Sequence, residues 1–306
     1  MRRVLKHRLE LALSSSAASR VARYRIRGKR LILAYHGILP QGEHPAGEQA
    51  LFVRQADFAA QLDVLAEFAD VAPLDRIDEA GDGRPRVAIT FDDGYRGAVR
   101  QGVHELVKRG LPATIFVAPG HLNGHVYWWD ALSDGRTSLE ESIRDHALHE
   151  LSGSDERVRI WANDLGVSST DALPAYAQTA SADELRTALE FPGITVGSHT
   201  WSHVNLASLS FAEMAAELEK PRDWLRAEFG EKAIPWLAYP YGLDCAEVHR
   251  AAASSSYVGG LRISGGWHRA TDVLAFARPR LNVPAGLSLE GFRARLVGSV
   301  RIGGSA

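Results

Sequence analysis

The feature that most constrains this chain is a recurring pair: a short apolar, β-prone run followed by a stretch whose apolar residues fall at helical spacing. Leu31 to Tyr35 reads as a buried strand that delivers His36-Gly37 at its end, where α/β sites gather. Phe58, Leu62, Leu65 and Ala69 then mark one face of a helix, and Pro73 follows it. Val87 to Phe91 is the next strand and opens into Asp92-Asp93-Gly94. Val99, Val103 and Leu106 stripe the helix after it, which stops at Gly110, and Ala113 to Ala118 is a strand again. Residues 131 to 190 differ: they are polar, with helical patches such as Glu184 to Leu189 and no convincing strand, and predict a helical insertion. Regular order resumes at Ile194 to Gly197. Ser210 and Glu213 fit the capping box of a further helix, in which Pro221 predicts a kink or break. Trp236 to Tyr239 and Phe276 to Val283 read as the last strands. At 306 residues and 45% hydrophobic content the chain can bury a large core. The pattern predicts one α/β domain over 31–300, a parallel barrel, with a basic extension at 1–30 and a tail at 301–306.

Composition narrows the class. The formal net charge is −2, so no global field draws the chain to nucleic acid, and no basic run is interleaved with aromatics as single-strand binders need. Nucleic acid is therefore not an expected partner. Cys245 is the only cysteine, which rules out an internal disulfide and a cysteine-built zinc site and fits a reducing compartment. Residues 1 to 30 carry ten Lys or Arg against the single Glu10 but no apolar signal core, so a cytoplasmic location is expected. Leu5, Leu9 and Leu13 recur beside Arg2, Arg3, Lys6 and Arg8. They read either as an amphipathic helix resting on the inner face of an anionic membrane or as a solvated tail. No run reaches the roughly 18 to 20 apolar residues of a spanning helix.

Two motifs carry chemistry. Thr90-Phe91-Asp92-Asp93-Gly94-Tyr95 ends a β-prone run in two carboxylates and a glycine. Neighbours on a strand point to opposite faces, yet a turn at Gly94 can bring both to one cavity, one to bind metal and the other to take a proton. Alone, such a sequence is usually a solvated turn. His199-Thr200-Trp201-Ser202-His203 follows a predicted strand, and on a helical turn its i, i+4 spacing sets both imidazoles on one side. Joined to a strand-end Asp, the pair completes three N/O ligands and leaves a position for water, the pattern of catalytic zinc.

These segments resemble the first two motifs of the NodB-homology polysaccharide deacetylases, carbohydrate esterase family 4, and the similarity spans residues 31 to 285. The resemblance implies a distorted parallel (β/α) barrel, an N-acetylated carbohydrate substrate and a divalent metal, Zn2+ first, with Co2+, Ni2+ or Mn2+ as alternatives. It makes Asp92 the general base and Asp93, His199 and His203 the metal ligands. Leu237-Ala238-Tyr239-Pro240-Tyr241-Gly242 is similar to the third motif, an Arg-containing segment ending in Pro-Tyr-Gly. It implies that the Tyr241 backbone N–H helps stabilise an oxyanion, with Pro240 beside the substrate. Ala238 stands where the family has its arginine. Arg280 is the expected substitute, because a late strand end could carry its guanidinium to Asp92; Arg278 is the competing choice, and a surface role for both is the alternative. The C-terminal Leu-x-His motif that supplies the general acid is not visible after Arg280. Leu33-Ala34-Tyr35-His36 resembles the rearranged version of biofilm exopolysaccharide deacetylases, which makes His36 the acid.

Tyr127-Trp128-Trp129-Asp130 reads as a sugar-stacking wall with a polar handle or as the hydrophobic seat of the insertion, and Trp201 has similar standing. The expected reaction is metal-dependent removal of N-acetyl groups from amino sugars of a polysaccharide or its lipid- or nucleotide-linked precursor, in surface polysaccharide biosynthesis. Competing readings are another amide (cyclic amide, imide or N-formyl) and a non-catalytic carbohydrate-binding protein. Asp92 argues against the last, since a carboxylate beside a metal ligand is needed to activate water and not to bind sugar.

Overall fold

The computed structural model describes residues 24, 26–133 and 139–296. The Leu5, Leu9 and Leu13 segment, most of the basic extension and the 301–306 tail lie outside the described residues. In chain order the strands are β1 (Arg30–Tyr35), β2 (Gly37–Leu39), β3 (Phe52–Arg54), β4 (Asp70–Val71), β5 (Arg86–Phe91), β6 (Ala113–Val117), β7 (Ile194–Ser198), β8 (Ala233–Ala238), β9 (Gly259–Ile263) and β10 (Arg278–Asn282). β1 and β5 to β10 pair in parallel in that order, and β10 closes on β1, giving a seven-stranded barrel. Leu33 lies between Ile89 of β5 and Leu281 of β10 at the closure. β4 extends the sheet outside the barrel along β5, and β2 pairs only with β3.

The helices are α1 (Gln55–Phe68), α2 (Val103–Val107), α3 (Trp128–Ser133), α4 (Glu141–His149), α5 (Asp155–Asp164), α6 (Ala182–Leu189), α7 (Phe211–Phe229), α8 (Ala246–Ser254) and α9 (Leu289–Leu296). Strand alternation divides the core in two. Leu31, Leu33, Val87, Ile89, Ile115 and Val117 pack outward against Phe58, Leu62 and Leu65 of α1, Leu106 of α2, Leu185 of α6 and Phe292 of α9. Their neighbours Ile32, Ala88, Phe116, Trp236 and Leu261 form a separate inner cluster, closed by Ala72, Leu74 and Ile77. Helices α3, α4 and α5 fill most of the segment read as an insertion, around Trp128, Trp129, Leu132, Ala147 and Val158, and the β2–β3 pair joins them through Leu39 and Phe52. α6, with its Ser181–Glu184 capping box, belongs to the outer layer of the barrel.

The sequence reading lacks, among other elements, β2, β3, β4, β9 and α8. β9 was absent from it because Gly259 and Gly260 break its apolar pattern. The glycines make room for β8 and the residue after it: a Cβ at Gly259 would lie 2.6 Å from the Trp236 ring, and one at Gly260 2.0 Å from the Tyr239 hydroxyl. Of the kink or break expected at Pro221, the break does not occur: α7 runs as one element past it, opened by the Ser210–Glu213 capping box. The Glu217 carbonyl that Pro221 leaves without a helical donor accepts the Trp201 N–H instead, at 3.1 Å. Among the described residues no helix is long and apolar enough to cross a membrane.

Candidate active site

A parallel barrel brings all its strand C-termini to one mouth. That places His36 after β1, Asp92 and Asp93 after β5, His199 after β7 and Tyr241 after β8 around a common opening. The backbone there is strained. Seven described non-glycine residues have positive φ, and four are in these turns: Asp93 (67°), Thr200 (65°), His203 (55°) and Tyr241 (60°). The Asp-Asp-Gly turn thus begins at Asp93, one residue before the expected glycine. The histidine segment is a loop with two left-handed residues, not the helical turn expected from its spacing.

Asp93 Oδ1 lies 3.4 Å from His199 Nε2 and 3.1 Å from His203 Nε2, and the two imidazole nitrogens are 3.1 Å apart. All three residues are buried. Zinc bonds of about 2.0–2.1 Å at tetrahedral angles set ligand atoms roughly 3.3 Å apart, so the donor set fits a small divalent cation. His199 Nδ1–H donates to the Ala238 carbonyl at 2.7 Å, which turns Nε2 toward Asp93. Ala238, at the position of the missing arginine, thereby contributes through its backbone. Burial pushes the Asp93 carboxyl up, but hydrogen bonds from His199 and His203 outweigh it, and the net shift is well below the usual range. For His199, burial pulls the pKa down and the charges of Asp92 and Asp93 more than reverse it.

Asp92 has a different partner. Arg280 rises through the barrel interior with 0% exposure, and its Nη1 and Nη2 each donate to one Asp92 oxygen at 2.7 Å. Nη1 also donates to Thr90 Oγ1 at 3.2 Å, whose hydroxyl donates to the Leu33 carbonyl. Burial raises the Asp92 pKa, and the Arg280 charge, ahead of those of His199 and His36, brings it below the ordinary value. Arg278 points elsewhere, pairing with Asp78 at 2.6 Å and lying over Trp236. His36 is half-buried, and its charge bears on both Asp92 and Asp93.

A family model described as polysaccharide deacetylase matches residues 79–259, more than half of the chain. The chain belongs to the polysaccharide deacetylase family. The matched stretch holds Asp92, Asp93, His199, His203 and Tyr241, whereas His36 and Arg280 lie outside it. Among solved structures, a polysaccharide deacetylase from Bacillus cereus is similar at TM-score 0.63 and 16% identity, covering 88% of this chain and 69% of its own. The Streptococcus pyogenes deacetylase PplD, in complex with acetate, is similar at TM-score 0.62 and 17% identity, covering 88% of this chain and 99% of its own. IcaB from Ammonifex degensii gives TM-score 0.59 and 17% identity over 88% of this chain and 97% of its own. At these identities the likeness is one of fold. No curated protein matches significantly.

In this chain the aromatic segment is a seat. Trp128, Trp129 and Asp130 are buried beneath the mouth, so the sugar-stacking wall with Asp130 as polar handle is not what the structure places there. Tyr127 and Trp129 stack in parallel at 4.3 Å and lean against the His203 ring, and the Tyr127 hydroxyl donates to the Asp93 carbonyl at 3.1 Å. Trp129 Nε1–H donates to the Tyr95 hydroxyl, which donates to Asp130 at 2.5 Å. The Trp201 ring is half-buried, with the Lys220 ammonium 3.6 Å from its centroid. Pro240 is buried at the start of the Tyr241 turn. The Tyr241 hydroxyl donates to the Gly153 carbonyl at 2.8 Å and accepts from Trp128 Nε1 at 3.1 Å. Tyr95, Gly153 and Glu217 escaped the sequence reading as supports. Only Tyr95 had a local signal, its place in the Asp-Asp-Gly-Tyr motif.

Proposed function

We propose that the chain is a metal-dependent N-deacetylase acting on amino sugars of a surface polysaccharide or of its lipid- or nucleotide-linked precursor. The observation that carries this reading is the separation of two adjacent carboxylates by their partners: Asp93 meets His199 and His203, whereas Asp92 meets the Arg280 fork. One is placed to ligate and the other to act as base. Asp93, His199 and His203 would hold Zn2+, or Co2+, Ni2+ or Mn2+, which when bound supplies Lewis acidity toward a carbonyl oxygen and lowers the pKa of water. Asp92 accepts the proton of the attacking water, and Arg280 keeps that carboxylate ionised and oriented. As the water oxygen bonds to the acetyl carbon, the Tyr241 N–H stabilises the charge growing on the carbonyl oxygen. The C–N bond then breaks, His36 gives its proton to the departing amine, and acetate and the free amino sugar leave. The Arg280 fork on Asp92 supports the catalytic reading over the non-catalytic one.

The test is acetate release from N-acetylglucosamine oligomers, nucleotide sugars and glycolipids by metal-loaded wild type beside Asp92→Asn. Metal-dependent release that disappears in the variant is expected. A folded, metal-loaded wild type silent on every substrate would overturn the reading.

A further inference from the structure

The loop joining the two histidines holds an uncommon conformation, with Thr200 and His203 both in the left-handed region. Inside the loop, the Thr200 hydroxyl accepts the His203 N–H at 3.0 Å. A side chain in the middle of α7 makes the most bonds to it. Glu217 Oε2 accepts the backbone N–H groups of Trp201 at 3.0 Å and Ser202 at 2.9 Å, and Oε1 accepts the Ser202 hydroxyl at 2.7 Å. The Glu217 carbonyl also lies within hydrogen-bond reach of the Trp201 N–H, at 3.1 Å, freed for this by Pro221 four residues on. Gly120 N–H donates to the Trp201 carbonyl at 2.9 Å, and His121 Nε2 meets the Ser202 carbonyl at 2.9 Å, so the loop is also held by the residues that follow β6.

We infer that Glu217 is a positioning residue for the cation site: its carboxylate fixes the loop so that His199 and His203 converge on Asp93. The inference rests on the reading of those three residues as metal ligands. Two features separate this role from ordinary packing. A carboxylate that accepts three hydrogen bonds from adjacent residues holds their orientation as well as their position. A strained loop needs such outside support to persist, because its local preference is for other conformations.

The test uses the full chain as wild type, Glu217→Ala, Glu217→Gln and Pro221→Ala. Zn2+ affinity is read by competition with a chromophoric chelator, site geometry by the visible absorption of the Co2+-loaded protein, and folding by the Tm of the metal-free protein. Glu217→Ala is expected to weaken Zn2+ binding by about 10- to 100-fold and to alter the Co2+ spectrum, the range seen when an outer partner of a metal ligand is removed. Glu217→Gln, whose amide oxygen can still accept both N–H groups, should recover most of the affinity, and Pro221→Ala should show a smaller loss. Wild-type affinity and spectrum in folded Glu217→Ala, or a lowered Tm with unchanged affinity, would overturn the inference alone. If Glu217→Ala does not fold, a Glu217→Gln affinity as low as that of a His203→Ala control would overturn it. No Zn2+ binding by wild type would overturn it together with the metal reading.

Discussion

Replacing Arg280 by methionine removes the guanidinium and keeps most of the side-chain volume inside the barrel. Asp92 is only 3% exposed and loses both of its 2.7 Å charge-assisted bonds. An isolated buried carboxylate costs about 3–5 kcal/mol when its partner is removed. Asp92→Asn alone strands the Arg280 charge in the same way. The double variant Arg280→Met/Asp92→Asn leaves no unpaired charge, so most of the loss should return, and the cycle should show a coupling at least as large as one of the single losses, about 3–5 kcal/mol. Urea unfolding midpoints of the four proteins measure this directly. Acetate release should fall by at least about 10²-fold in Arg280→Met, the lower end of what a positioned general base contributes. Single losses that sum to the double-variant loss within about 0.5 kcal/mol, together with full activity in Arg280→Met, would refute the assignment of this pair as the held base.

Asp130 offers a pH test. Burial raises its pKa to about 8, against the hydrogen bonds it accepts from Tyr95 and the Glu48 N–H. Its folded pKa exceeds the unfolded one, so its contribution to stability is full below the ordinary carboxylate range and is lost as pH rises toward about 8, by at most ~1.4 kcal/mol per pH unit. Asp130→Asn, which cannot ionise, should therefore gain on wild type between about pH 5 and about pH 8 in urea titrations, and a pH-independent difference would contradict this. Gly153 has φ 62° and a Cβ there would lie 2.4 Å from the Tyr241 ring. Gly153→Ala should cost at least about 1 kcal/mol and lower acetate release by about 10-fold or more, and wild-type activity would show that Tyr241 does not depend on that seat. Removal of residues 1–25 should reduce binding to anionic vesicles, and unchanged binding would reject the membrane reading of Leu5, Leu9 and Leu13.

Much of the barrel was legible because its strands are short apolar runs that end in chemistry. LILAY before His36, VAITF before Asp92 and ITVG before His199 announce both the element and the residue it delivers. β9 escaped because its two glycines make room for the Trp236 and Tyr239 rings, in and just after the neighbouring strand, a fact that no local pattern encodes. The histidine spacing was read correctly as a pair and incorrectly as a helix, since i, i+4 residues also converge when a strained loop is clamped from outside. Trp128 and Trp129 looked equally fit for a wall or a seat, and only the packing of α3 beneath the mouth distinguishes the two.

By itself, then, the sequence determined the alternation that makes a parallel barrel, the strand ends that must hold Asp92, Asp93, His199 and Tyr241, and the family these motifs resemble. Those are properties of residues adjacent or nearly adjacent in the chain. Tertiary structure decided the pairings between distant segments: Arg280 instead of Arg278 on Asp92, the Ala238 carbonyl on His199, Gly153 on Tyr241 and Glu217 on the loop between the histidines. The physical reason is barrel closure. It sets β10 beside β1, and hence near β5, at a separation of 188 residues between Arg280 and Asp92, and directed hydrogen bonds then select which of the side chains within reach make contact.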